Sequence, residues 1–478
     1  MNSIYKHLRV GLAGVGLDTY WEQFDGLEER LLGYLSEVER NIESPERILC
    51  NVGLIDTPQK AIDAAHFFRR NDIDILIVYV ATYALSSTVL PLALRAGVPV
   101  ILLNLQPAAA IDYESFNRLG SGTEMTGEWL AHCSSCPIPE IANVFQRLDI
   151  PFHQVTGILH DDPICWKHIE EWLRAAAVAH DLAHARLGLM GHYYSGMLDV
   201  ATDLTQVSGR FGLHIEIIEV DELSSLRREV TEDSIREKLR EFTEFFDVAG
   251  ECPEAELKRA AITAAALDQF VSVNDLDMLA YYYKGTGVPD NESTMSSIIL
   301  GASMLTGRGI PVAGEYEVKN VIAMKILDLL GVGGSFTEYY AMDYTADCVL
   351  MGHDGPCHIG IAQDRIKVRP MKVYHGKVGK GLSVEMSVKQ GPVTLLSIVE
   401  DKQHGFMLLV AEGESVPGAI LEIGNTNSRY QFPLGARGFV EQWNSHGPAH
   451  HCAIGTGHVA SQIDKLARLL RLNCIRVC

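Results

Sequence analysis

Apolar, β-branched runs separated by helical stretches leave the first third of the chain little choice of fold. Leu8–Ala13, Arg47–Leu54, Ile73–Val80 (IDILIVYV) and Pro99–Leu105 (PVILLNL) read as strands, and Trp21–Val38, Gln59–Arg70 and Ser86–Arg95 carry apolar residues at helical spacing. Strands that are apolar on both faces and joined by helices belong in a parallel sheet covered on both sides. An open α/β domain follows, with ligands expected at the carboxyl ends of its strands. The spacing predicts a long helix over Pro163–His184, which would end this domain near residue 183.

Gly11-x-x-Gly14-x-Gly16 follows the first run, but its order is not that of a dinucleotide-binding turn. No acid closes a second strand about 20 residues on. It reads as a tight strand-to-helix turn, and no nucleotide cofactor is expected. Leu105–Pro137 is rich in turn formers and reads as a long functional loop.

A second α/β unit is expected over residues 184–330. Its strands are Arg186–Met190, His214–Val220 and Phe270–Val273, and a polar, aromatic loop spans Gly191–Asp199. Helices are expected over Val200–Arg210, Ser224–Asp247 and Pro253–Gln269. Asn274–Asp277 carries two carboxylates, for which helix capping and a functional role both fit. From residue 331 the helices thin out. Val368–Tyr374, Gly381–Gln390, Val393–Glu400, Phe406–Glu414 and Ala419–Ile423 alternate like strands of an antiparallel barrel or sandwich. A helix over Val459–Leu470 and a strand over Asn473–Val477 close this third domain, 331–478.

Composition excludes some partners. A formal charge of −21, from 40 basic and 61 acidic residues, argues against nucleic acid. Ten irregularly spaced cysteines read as reduced thiols, and Cys133-x-x-Cys136 lacks the second pair that a zinc knuckle needs. No apolar stretch reaches the ~18–20 residues of a membrane span, and Leu8–Leu17 shows no cleavage site. A soluble cytoplasmic protein is expected, with a small polar substrate.

The chemistry concentrates in Gly314–Pro356, where Glu315, Glu317, Glu338 and His353 stand at the ends of apolar elements. Charges in such places must be paired, solvated or bound to a cation. Glu315, Glu338 and His353 are too far apart in sequence to share one element, so any common site is assembled by tertiary folding. His450-His451, in GPAHHC, offers a fourth ligand from a glycine-bounded turn. Carboxylate and imidazole together suit Mn2+, Mg2+, Co2+ or Zn2+, and a metal with open positions polarises a carbonyl.

The order GEYEVK, GGSFTEYY, VLMGHDGP, GPAHHC resembles the L-arabinose isomerase family. The resemblance implies two Rossmann-like domains followed by a C-terminal β-barrel. It implies Mn2+, with Co2+ or Mg2+ as substitutes, on Glu315, Glu338, His353 and His451. The two glutamates would also be the catalytic acid/base pair, and His450 would open the sugar ring. The implied reaction is aldose–ketose isomerisation through a cis-enediol, in a homo-oligomer, hexameric by resemblance.

The substrate loops depart from the family pattern. Gly16–Trp21 and Ala131–Pro137 replace the family's segments, which leaves Asp18, Tyr20, His132 and, from the Gly191–Asp199 loop, His192 as expected sugar contacts. The sugar is expected to be a pentose or a related small sugar, with L-arabinose one candidate among them. Two other readings are an epimerase sharing the enediolate, and a non-catalytic sugar-binding protein built from two Rossmann-like units.

Overall fold

The computed structural model describes residues 7–285, 287–371, 380–403 and 405–478, which form two compact units, Met1–His180 and Asp181–Cys478. The first is a five-stranded parallel sheet. Its strands lie in the order Arg47–Ile55, Leu8–Val15, Ile75–Val80, Val100–Gln106, Phe152–Ile158. The middle strand, Ile75–Val80, is buried at every residue, as its continuous apolar run requires.

Helix Leu27–Ile42 buries Leu27, Leu31, Leu35, Val38 and Ile42 along one stripe. It starts later than its spacing predicts, for two reasons. Gly26 at φ 75 breaks the helical path, and the Trp21 indole is held by Asp56 (Nε1 to Oδ2, 2.9 Å). Helix Pro58–Arg70 starts where Thr57 caps Lys60 N and proline occupies the first turn.

Two further expectations in this unit are corrected. Gly11 and Gly14 lie inside the first strand rather than in a turn; a Cβ at Gly11 would come within 2.6 Å of Ile73 Cδ1. Leu105–Pro137 is not one loop, because helices Tyr113–Phe116 and Gly122–Leu130 form there, capped by Asp112 and Ser121. Helix Ile138–Arg147 and edge strand Phe152–Ile158 then complete the sheet.

The second unit contains both expected domains 184–330 and 331–478, and one hydrophobic core runs through it from Met190 to Ile454. Its parallel sheet has the order Val312–Ala313, Met278–Tyr282, Arg186–Gly191, His214–Ile218. Phe270–Val273 is not a strand but the last turn of helix Glu254–Val273; the strand begins after Asp277, whose Oδ2 accepts Arg186 N–H.

The antiparallel part is a circuit of pairings. Gly391–Asp401 pairs with His451–Thr456, and that strand with Ser335–Asp343. The ladder continues through Cys348–His353 and Thr426–Gln431 to Gly405–Val416, which pairs back with Gly391–Asp401. Asn473–Arg476 adds in parallel to Gly405–Val416. Ala419–Ile423 is not a strand; Thr426–Gln431 takes that place. The expected strand Val368–Tyr374 is found as Ile366–Met371, and residues 372–374 lie outside the described residues. No helix of the described residues is long and apolar enough to cross a membrane.

Candidate metal centre

Four of the sequence-predicted residues meet where the carboxyl end of the second parallel sheet faces the antiparallel ladder. Glu315 follows the short strand Val312–Ala313, and His450 and His451 open the strand His451–Thr456. Ligand atoms of Glu315, His450 and His451 all lie within 4.8 Å of one another. Glu315 Oε2 is 3.3 Å from His451 Nε2 and 3.8 Å from His450 Nε2, while Glu315 Oε1 is 3.9 Å from His353 Nε2.

Glu338 stands directly across the ladder from His451, and on its other side across from Gly352, next to His353. Opposite residues of an antiparallel pair project from the same face, with Cβ atoms about 5 Å apart. The register therefore puts Glu338 beside His451. Phe336, one step of two along the same strand, packs its ring 4.3 Å from both the His353 and His451 rings. These imidazoles are thus held by an apolar wall.

The backbone at the first ligand is unusual. Glu315 and Tyr316 are consecutive left-handed residues, φ 58 and φ 62. Side chains with a Cβ avoid this region, and each such residue costs about 1–3 kcal/mol unless the surroundings enforce it. The enforcing contacts are Tyr316 N–H to Tyr281 O at 3.0 Å and the Tyr316 ring against Tyr193 at 4.8 Å. Helix Val318–Leu329 then begins, buried on nearly every side.

Glu317, at the start of that helix, sits behind His451. Its Oε2 lies 3.5 Å from His451 Nδ1, and it is wholly buried with neither oxygen hydrogen-bonded. Burial, aided by Asp199 and Glu315 and opposed by Lys319, pushes its carboxyl up to about 8. Burial, then the neighbouring His353 and His450, holds His451 well below the usual imidazole range. His451 is therefore neutral, with both ring nitrogens buried and without a hydrogen bond. A neutral imidazole with a free lone pair, carboxylate oxygens in front and a carboxyl behind is a donor set fitted to a divalent cation. The sequence showed Glu317 beside Glu315 but not which way it faces.

Asp199 is the second residue that the motifs did not reveal. Its Oδ2 accepts from His450 backbone N–H (3.0 Å) and lies 2.6 Å from His450 Nδ1. Burial raises the Asp199 carboxyl, but its bonds to His450 prevail and hold it below the usual range. Lys319 Nζ ties the same loop down by donating to Asp199 O (2.7 Å) and Ala201 O (3.1 Å). A loop acid 251 residues away in sequence thereby orients the His450 ring, leaving Nε2 toward Glu315.

His192 lies in the same loop, exposed, with its ring 5.2 Å from that of Tyr282. The loop leaves its strand at Gly191 with φ 96, where a Cβ would fall 1.9 Å from Tyr282 O. Asp18, Tyr20 and His132 belong to the first unit. Its strand order reverses at Leu8–Val15, which leaves a crevice beyond the ends of that strand and of Ile75–Val80. Asp18–Tyr20 follow the first of these strands, exposed and half-buried. His132 Nδ1 is 3.0 Å from Glu128 O, and Glu128 is paired with Arg30.

An α/β sheet whose carboxyl edge presents a carboxylate–imidazole cluster offers a candidate centre for a divalent cation. Residues 333–473 match the family described as the L-arabinose isomerase C-terminal domain. The chain is 23% identical over 354 residues to the L-arabinose isomerase of Nocardioides sp., which covers 71% of this chain and 68% of that one. To the L-arabinose isomerase of Geobacillus thermodenitrificans it is 22% identical, over 66% of this chain and 64% of the relative. To that of Halalkalibacterium halodurans it is 23% identical, over 58% and 56%. Residues 333–473 thus match that C-terminal domain, and the chain is similar to L-arabinose isomerases over most of its length.

Proposed function

We propose that this chain is a metal-dependent aldose–ketose isomerase acting on a pentose or related small sugar through a cis-enediol. The observation that carries the reading is the convergence of Glu315, His450 and His451 within 4.8 Å, with neutral His451 backed by Glu317. Glu315, Glu338, His353 and His451 would hold Mn2+, or Co2+ or Mg2+ in its place. A cation held there would supply Lewis acidity toward the hydroxyl and carbonyl oxygens of the open-chain sugar.

The protein's own groups carry the protons. One of Glu315 and Glu338 takes the proton from C2 and the other acts on the oxygens, so that the proton is returned at C1. His450, oriented by Asp199, serves ring opening through Nε2. The proposed sugar contacts are His192 together with Asp18, Tyr20 and His132 of a neighbouring copy of the chain. The two parallel sheets are read as Rossmann-like units and the strand circuit as a small barrel. The protein is read as cytoplasmic and as a homo-oligomer, hexameric by resemblance; a fully active monomer in size-exclusion chromatography would contradict that assembly.

The test incubates Mn2+-loaded protein with a panel of aldoses in D2O and follows exchange at C1 and C2 by NMR. Exchange with ketose formation is expected for at least one sugar. Products that remain aldoses would select epimerisation instead, and no exchange with any sugar would refute the proposal.

A further inference from the structure

The chain's one C-x-x-C, Cys133-Ser134-Ser135-Cys136, has no part in the chemistry above. It fills the turn between helices Gly122–Leu130 and Ile138–Arg147. Backbone bonds from His132 N to Trp129 O (2.9 Å) and from Cys133 N to Leu130 O (3.1 Å) fix how the turn leaves the first helix. Cys133 is buried and Cys136 exposed. Ser135, between the two cysteines, anchors the turn by donating from Oγ to Asn104 Oδ1 (3.0 Å), and the Cys133 thiol feels Cys136 as its neighbour. Two cysteines that bracket a four-residue turn can reach disulfide geometry with little backbone movement. No other two cysteines of the chain stand three residues apart.

The pair also has an address. Tyr20 lies close enough to feel both thiols, though burial is the main reason its phenol is raised, and Tyr83 lies near Tyr20 and Cys133. Tyr20 follows the first strand and Tyr83 the third, so the dithiol sits at the crevice where the strand order reverses. Burial and the Cys136 neighbour push the Cys133 thiol up to about 12. Cys133 therefore stays protonated, and exposed Cys136 is the sulfur that meets a reagent.

We propose that Cys133 and Cys136 form a redox-modification site, which a low-molecular-weight disulfide converts to an intramolecular disulfide. The Cys136 thiolate attacks one sulfur of the small disulfide, whose S–S bond breaks and releases one small thiolate, which takes a proton from water. The Cys133 sulfur then attacks Cys136 Sγ and expels the second small thiolate, which takes up the Cys133 proton. Two electrons pass from the protein dithiol to the small disulfide, which departs as two thiols. The new bond closes the turn on itself beside Tyr20.

The test incubates the reduced full chain with glutathione disulfide, quenches in acid, caps free thiols and weighs the peptide holding both cysteines. The expected peptide lacks two hydrogens and regains them with dithiothreitol. Cys133→Ser is expected to stop at a stable glutathione adduct on Cys136, and Cys136→Ser to leave the peptide unmodified. Two capped thiols, or an adduct that persists in the native chain, would overturn the proposal. Because Cys136 is exposed, its variant carries the test even if the buried Cys133→Ser fails to fold. The readout is a peptide mass and does not depend on any sugar chemistry.

Discussion

Glu317→Gln is expected to flatten the pH dependence of stability in the metal-free protein. Glu317 is wholly buried with neither oxygen hydrogen-bonded, and its carboxyl rises from 4.5 to about 8 on folding, chiefly through burial. Between these values the folded chain keeps a proton that the unfolded chain releases. The contribution is therefore fully present below the unfolded value and is lost as pH rises toward the folded one, at about 1.4 kcal/mol per pH unit. At neutral pH the accumulated loss is on the order of 3 kcal/mol. A glutamine amide in the same place leaves its own donors unsatisfied, at about 1–3 kcal/mol, but that offset does not change with pH. The slope is thus the diagnostic. Urea unfolding of chelator-treated protein from about pH 5 to about pH 8 should show the wild type losing on the order of 3 kcal/mol relative to the variant. Parallel stability curves over that window would refute the reasoning.

Glu338→Gln should keep the fold yet lower Mn2+ affinity by at least about tenfold, read by elemental analysis after dialysis; unchanged metal content would remove Glu338 from the centre. Asp199→Ala frees the His450 ring and should lower kcat on the order of tenfold with little change in KM, while Asp199→Asn restores part of it through the remaining acceptor. Gly191→Ala forces a Cβ onto Tyr282 O at φ 96 and should cost more than about 1 kcal/mol in thermal unfolding. Because His451 is neutral when folded, the metal-free protein should also lose stability as pH falls below the ordinary imidazole value, 6.5. His451→Gln should remove that acid-side loss in the same urea titration.

The first unit's inner strands were legible because burial on both faces leaves an unbroken apolar run, as in Ile75–Val80. The edge strand Phe152–Ile158 was not, since only Val155 of its seven residues is fully buried and its composition is mixed. Thr426–Gln431 escaped for the opposite reason, because its polar residues are buried. Asn427 exchanges bonds with Leu421 (N to Oδ1, 2.9 Å; Nδ2 to O, 2.9 Å), and Ser428 Oγ accepts Val388 N–H at 2.7 Å. A pattern reader sees a polar loop where side chains are consumed by backbone groups. Phe270–Val273 misled because an apolar helix end and a short strand look alike.

The candidate centre divides in the same way. Glu315, His353, His450 and His451 stand in motifs with a recognisable order, and the fold brings them together. The partners that aim them left no such trace. Asp199 reaches His450 from a different sheet, and Glu317 acts by lying behind a ring rather than beside it. Orientation of this kind is a property of tertiary contact, and spacing along the chain does not encode it.

The closed circuit of strand pairings bears on how a cation could be exchanged. Glu338, His353 and His451 are carried by three adjacent strands, each hydrogen-bonded on both sides. In a small zinc-dependent fold the ion is the fastener, and removing it unfolds the chain. Here the frame is fastened by its own ladder, so a cation held at the proposed centre would be a passenger. Stripped protein would be a blank that can be charged with one ion after another at room temperature, and comparing metals would need one preparation and no refolding.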